Sequence, residues 1–320
     1  MSEEHDALRA AVRGMLSGAS ARSGYDAGLW QRLGKEIGVA GLTVPEEYGG
    51  SGASLLEALV VLEELGRTLT PAPMLGGLLG TQALLASGNA EACARLLPSV
   101  CAGERVIGVS WDGTVIDGFT DLVVVSEGSL YSAGPESRRG LPGLDLTRQL
   151  SAVSFAADIS EMPEKRAERL GPISVDWLRD VACVALAAEQ VGAASRALEL
   201  TVEYAKSRVQ FGRPIGAFQV LQHRMAEGYV RVETARSACW TAAEALVAGA
   251  PEAGHLAAVA KVWCSETLRE VAAEMVQVHG GIAITWEHDA HLYLRRAWDA
   301  AQLFGSPEHH LTRVADTLLS

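Results

Sequence analysis

The sequence predicts a mainly α-helical chain with a small β domain between two helical regions. Three observations carry this. Apolar residues recur at helical spacing over long stretches at both ends, as in Val184, Ala187, Ala188, Val191, Ala194, Leu198 and Val202. The texture changes from Glu104 to about Leu170, where short β-rich runs are bounded by Gly, Asp and Ser. Across the 320 residues, 48% are hydrophobic and only 6% aromatic, with Ala and Leu dominant, which favours helix and suffices for a full core. The expected domains are an N-terminal helical domain over 1–103, a β-barrel or sandwich over 104–170, and a C-terminal bundle of four or five helices over 171–320.

In order, residues 5–37 read as two helices. Leu8, Val12 and Leu16 form one stripe and Trp30, Leu33 and Ile37 another, with Gly38 as a stop. Gly41, Pro45 and the run Gly49-Gly50-Ser51-Gly52 mark a loop, where Glu46-Glu47 read as solvated charges. A helix over 55–69 ends at Thr70-Pro71-Ala72-Pro73, and 74–98 supply one or two more. Strand runs follow at 106–109, 121–125, 129–131 and 151–155. The bundle helices are expected at 176–208, 218–248, 252–277, 286–301 and 308–319, joined by short loops.

Composition limits the function. A net charge of −12 argues against nucleic-acid binding and against a basic membrane-docking face. Five cysteines (Cys93, Cys101, Cys183, Cys239, Cys264) without any CxxC read as reduced core residues. No signal-like segment opens the chain and no uncharged run nears the roughly 18 residues of a membrane span, so the expectation is cytoplasmic. The histidines lack zinc-site spacing, and no metal is expected.

The chemistry centres on EYAKSRVQFGRPIGAFQVLQ, residues 203–222. Gly212, Pro214 and Gly216 cannot continue a helix, so two long helices meet here at a short turn. The turn carries Arg208, Phe211, Arg213 and Gln219: two fixed charges, one aromatic face and one amide, which suits a phosphate-and-adenine ligand.

This segment resembles the signature hairpin of the flavin-dependent acyl-CoA dehydrogenases. QVHGGIA (277–283) is similar to that family's Gln-x-x-Gly-Gly turn, and GLTVPEEYGGSGASLLEALVVLEELGR (41–67) to its N-terminal helical domain. The resemblance runs over nearly the whole chain and implies that family's fold, with FAD as cofactor and an acyl-CoA as substrate. It carries over Arg208 as the cation at the pyrophosphate, Phe211 as the ring near the adenine and Gln219 as an adenosine contact. Gln277, Gly280 and Gly281 would approach the dinucleotide through their backbone, in the family usually that of the neighbouring subunit. The central domain is shorter than the family's, and VSWDGTVIDGFTD (109–121) lacks the usual flavin-covering stretch. Asp145-Leu146-Thr147-Arg148 resembles a short element of that domain, and a turn with a solvated Arg is an equal alternative.

The reaction needs a carboxylate to take the proton alpha to the thioester. The family's commonest glutamate precedes the last helix, and Phe304 occupies that register. The minority position, on the long helix before the hairpin, falls at Ala182, leaving Glu189 and Asp180 as weak candidates. Three readings follow from the resemblance. The favoured one is a short subunit of a heteromeric acyl-CoA dehydrogenase (a heterotetramer), whose longer paralogue supplies the base. Its acyl-CoA would be bulky, of the kind met in steroid degradation, with an electron-transfer flavoprotein as acceptor. The others are a self-sufficient homodimer with an unusually placed acid, and a non-catalytic scaffold.

Overall fold

A computed structural model describes residues 2–319. Helices α1 (Glu3–Met15), α2 (Ala27–Arg32), α3 (Leu55–Thr68), α4 (Met74–Ala86) and α5 (Ala90–Cys101) form the N-terminal part. Their starts follow local chemistry: Asp26 and Asn89 cap α2 and α5 with side-chain oxygens, and Ser54 with Glu57 forms a capping box on α3. Gly38 does end the second helical stretch, in a left-handed conformation.

Strands β1 (Ile107–Ser110), β2 (Thr114–Ile116), β3 (Asp121–Ser126), β4 (Ser129–Ala133), β5 (Ser137–Leu141), β6 (Leu150–Ser154) and β7 (Ala167–Pro172) follow. They make two small sheets, β1-β3-β4-β7 and β2-β6-β5, with β1 parallel to β3 and the other pairs antiparallel. Strands β2, β5 and β7 were not legible in the sequence. β5 reads SRRGL and is almost wholly solvent-facing, so it lacks the apolar alternation of a half-buried strand.

The C-terminal part holds α6 (Val175–Ser207), the two-residue strands β8 (Val209–Gln210) and β9 (Arg213–Pro214), α7 (Gln219–Ala248), α8 (Ala253–His279), α9 (Ala290–Gln302) and α10 (Pro307–Leu319). α6 is the core helix. It is long and apolar enough to cross a membrane by length and composition, but 89% of its most apolar window is buried in the protein, so packing accounts for its apolarity.

α3 and α6 cross with their backbones in contact. A Cβ on Gly66 would overlap the carbonyl of Glu189, and one on Gly192 the carbonyl of Glu63. Beside the crossing, Glu63 and Glu64 are buried and take up arginines from three helices: Glu64 binds Arg13 at 2.7 Å, and Glu63 pairs with Arg236 of α7. Gly192→Ala therefore has nowhere to put its methyl group. It should destabilise the chain by about 3 kcal/mol, the upper end for overpacked cores, read as a lowered denaturant midpoint; an unchanged midpoint would mean the helices can separate freely.

Candidate functional site

The hairpin between α6 and α7 is built to project its side chains outward. Val209–Gln210 pairs with Arg213–Pro214, and the two residues between, Phe211 (φ 54°) and Gly212 (φ 77°), both have the positive φ that a type I′ turn requires. For Phe211 that conformation costs about 1–3 kcal/mol, and its ring is left 92% exposed, edge-on to Phe218. Arg213 lies over the Phe218 ring at 4.2 Å. Arg208 caps the end of α6, its backbone N–H bonded to Tyr204 O, while its side chain is exposed and unpaired among the described residues. Gln219 is the first residue of α7. That N-terminus has no side-chain cap and no acidic residue in its first turn, so its partial positive charge adds to both guanidiniums.

The second motif lies at the same end of the bundle. Tyr204, one turn before Arg208, stacks on His279 at 4.3 Å, and His279 is followed directly by Gly280 and Gly281. Gly280 has φ +64°, a left-handed backbone that favours glycine, whereas Gly281 has nothing within 4 Å of where a Cβ would stand. Gln277 is exposed, at the edge of a groove between α7 and α8. Sequence-distant Arg208, Phe211, Gln219, Gln277, Gly280 and Gly281 thus share one outer end of the molecule. Two cations, an uncapped helix start and an outward ring fit the adenosine diphosphate end of FAD.

Phe304 belongs to a different place. It lines a partly open cavity of about 420 Å³ between α4, the strands and the end of α9, together with Trp111, Asp112, Asp145, Arg148 and Asp299. Its ring lies 5.6 Å from that of Trp111. The turn carrying it is firmly held. Phe304 has φ +61° and Gly305 φ +107°, and a Cβ on Gly305 would stand 2.8–2.9 Å from the His309 and His310 rings. His310 Nε2 donates to Phe304 O at 3.0 Å, fixing the tautomer, and the fully buried Lys261 Nζ donates to the carbonyls of Ala300 and Ala301 at 3.3 and 2.9 Å, closing α9.

Burial lowers both groups, the Lys261 ammonium to about 8 and the His310 imidazolium to about 4. For His310 the folded value lies below the ordinary one, so the unfolded chain binds more protons between them. Stability should fall as the pH drops from about 6.5 towards 4, and His310→Gln should flatten that limb of the melting profile. A profile identical in both proteins would exclude His310 as its source.

Neither carboxylate that the sequence offers as base is free to act as one. Glu189 is buried between two arginines, bonded to Arg296 at 2.9 Å and in direct contact with Arg148. Arg296 in turn holds Asp145 and Thr147. Burial pushes the Asp145 carboxyl up, but Arg296 and Arg148 beside it hold it below the usual carboxylate range. The solvated-turn alternative for Asp145-Leu146-Thr147-Arg148 is therefore corrected: the Arg148 side chain is nine-tenths buried. Asp180 does not reach the cavity. It is buried against Arg313 of α10 at 2.8 Å, and burial raises its carboxyl above the usual range despite that partner. Ala182, fully buried, carries no acid.

Sequence reasoning missed Trp111, Asp112, Asp299, Lys261 and Arg296. They come from three separate elements, the β1–β2 loop, α8 and α9, and only the stretch around Asp145, which Arg296 holds, gave any signal.

A helix–sheet–helix chain with an exposed cationic hairpin at one end and a cavity between sheet and helices at the other has the build of a flavin-dependent oxidoreductase. The chain belongs to the acyl-CoA dehydrogenase family. Residues 2–104 match the family's N-terminal domain and 180–319 its C-terminal domain. It is 40% identical to acyl-CoA dehydrogenase IpdE2 of Mycolicibacterium smegmatis, over 98% of each chain. Among solved structures, the Tcur3481-Tcur3483 steroid ACAD superposes with a TM-score of 0.88 at 29% identity, covering 99% of this chain and 98% of that one. The ChsE4-ChsE5 complex from Mycobacterium tuberculosis gives 0.87 at 25% identity, covering 100% and 98%. The activity is dehydrogenation at a carbon–carbon single bond, and FAD is the family's cofactor.

Proposed function

We propose that this chain is the base-lacking subunit of a heteromeric acyl-CoA dehydrogenase, contributing a flavin half-site to a longer paralogue that holds the base. The observation that carries this reading is a separation. From Glu189, beside the Arg148 wall of the cavity, α6 rises about 28 Å to Arg208. The hairpin therefore lies far from the Phe304 cavity of its own chain, and a neighbouring subunit is the natural recipient.

FAD, when bound, would supply the hydride-accepting chemistry. Arg208 and Arg213 would hold its pyrophosphate by charge-assisted hydrogen bonds. Phe211 would cover the adenine, Gln219 would bond the adenosine, and Gln277, Gly280 and Gly281 would let the backbone come close. Phenylalanine at 304 takes no proton, so the alpha-proton step falls to the partner's carboxylate. The named relatives, a steroid ACAD and a two-component complex, support a bulky, ring-bearing acyl-CoA and a longer partner chain. An electron-transfer flavoprotein completes the scheme as acceptor.

Native mass spectrometry after co-expression with a longer family member tests the assembly. A heteromer with one FAD per pair is expected; a stable homomer with one FAD per chain would overturn it. In that second case Asp299, whose carboxylate sits on the cavity wall and accepts from Asp145 N–H at 2.7 Å, is the acid to replace by asparagine, and loss of flavin bleaching would identify it as the base.

A further inference from the structure

We propose that His279 and His288 are positioning residues for the flavin half-site, clasping the Gly280-Gly281 turn in its binding shape only while both imidazoles are uncharged. This rests on the half-site reading above and deepens it, adding a proton-controlled hold on the flavin.

The two rings sit at the two ends of one connection. His279 is the last residue of α8 and His288 stands just before α9, so the segment between them carries Gly280 and Gly281. Their centroids lie 4.4 Å apart, which closes that segment into a loop. Tyr204 ties the closed loop to α6: its ring stacks on His279 at 4.3 Å and its hydroxyl donates to His279 O at 3.4 Å. Arg208 follows about one turn later on the same helix, so the clasp also sets the glycine turn against the hairpin.

Hydrogen bonds place the proton differently on each ring. Met275 O can only accept, so His279 Nδ1, at 2.7 Å, carries the hydrogen. At His288 the roles reverse: Nδ1 accepts from Ala290 N–H at 3.1 Å, and the neutral ring keeps its hydrogen on Nε2. That bond serves α9 as its cap, since Asp289 at the cap position makes none. A proton added to His288 must go to Nδ1, where it breaks this bond and sets a cation against the positive end of α9. A proton added to His279 goes to Nε2 and charges a residue that is only 4% exposed. Two imidazoliums in contact would also repel each other.

The surroundings do not offset this. Tyr204 of α6 faces His279 with its ring. Arg22, from the short turn between α1 and α2, and Asp289 face His288 but pair with each other at 2.7 Å, and His291 of α9 packs edge-on to Trp286. Burial lowers both imidazoliums from the ordinary histidine value of about 6.5; His288 lowers His279 further, and Asp289 and Arg22 act in opposite senses on His288. Because the clasped form keeps its rings neutral below that value, an opened turn binds more protons, and flavin affinity falls on acidification. The slope approaches tenfold per pH unit for each imidazole that titrates.

The test uses the full-length protein co-purified with its longer partner and measures FAD dissociation by flavin fluorescence between pH 8 and pH 5.5. Affinity should be level near pH 8 and about tenfold weaker at pH 5.5. His288→Asn keeps an acceptor for Ala290 N–H, and His279→Phe keeps the stack on Tyr204; neither new side chain titrates. Each variant should lose about three- to tenfold in affinity at pH 8 yet flatten the fall with pH, and the two together should level it. The partner's own pH dependence is common to all samples and cancels in the ratio of variant to unaltered protein. Profiles parallel to that of the unaltered protein would overturn the inference, since a merely structural ring weakens binding equally at every pH. Affinity that rises on acidification would also overturn it, because an imidazolium would then be binding the pyrophosphate. Either variant alone carries the test if the other does not fold. Arg208→Ala separates this inference from the reading beneath it. Unchanged flavin retention in Arg208→Ala at pH 8 contradicts the half-site and this inference together, whereas weakened retention with parallel histidine profiles contradicts only the clasp.

Discussion

Replacing Arg208 by alanine should weaken FAD retention by about 10- to 100-fold while leaving the fold intact. The guanidinium is exposed and makes no ion pair among the described residues, so its removal should change stability by no more than about 0.5 kcal/mol. A charge-assisted hydrogen bond to a phosphate contributes about 1.5–3 kcal/mol, which converts to that range of affinity. Only a ligand outside the described residues can make Arg208 valuable. Fluorescence titration of released flavin in the assembled protein gives the number, with thermal melting as the control. Retention equal to that of the unaltered protein would remove Arg208 from the pyrophosphate site and weaken the case for the whole hairpin.

Glu189→Ala should act in the opposite way, on stability first. It leaves Arg148 and Arg296 buried with Asp145 as their remaining carboxylate. Breaking a buried ion pair from one side costs about 3–5 kcal/mol, a large part of the roughly 5–15 kcal/mol that holds a typical domain folded. Denaturant unfolding should show a much lower midpoint, with Glu189→Gln intermediate because it keeps the volume and one acceptor. Were Glu189 the catalytic base, Glu189→Gln would instead unfold at the unaltered midpoint while flavin bleaching by substrate vanished. The two outcomes separate a structural anion from a chemical one.

Much of the helical framework was legible because each helix carries its own signals. Gly38, Ser54 and the Thr70-Pro71-Ala72-Pro73 run stop or start helices through local backbone chemistry, independent of tertiary context. β5 was not, since its residues face solvent and are held by cross-strand pairing, and neither was β7, where Glu168 and Arg169 interrupt the buried Ala167 and Leu170. The hairpin residues stand close together in sequence, so their chemistry could be read directly. The cavity could not be read that way: Trp111, Arg148, Asp299 and Phe304 come from four separate elements, and the pairing that immobilises Glu189 joins α6, α9 and the loop before β6. From the sequence Glu189 was an acid on a suitable helix. Only its two arginine neighbours reveal that it is held between Arg148 and Arg296.

The central claim is that this chain holds flavin for another subunit and takes no proton itself. Anaerobic mixing of an acyl-CoA with the co-purified complex, followed by the visible flavin spectrum, tests it most directly when repeated on two variants. The account predicts bleaching in the unaltered complex, undiminished bleaching when both Asp112 and Asp299 of this chain are replaced by asparagine, and none when the partner's base is removed. Bleaching by this chain purified alone, or its loss on replacing those two aspartates, would contradict the account and put the catalytic base in the Phe304 cavity.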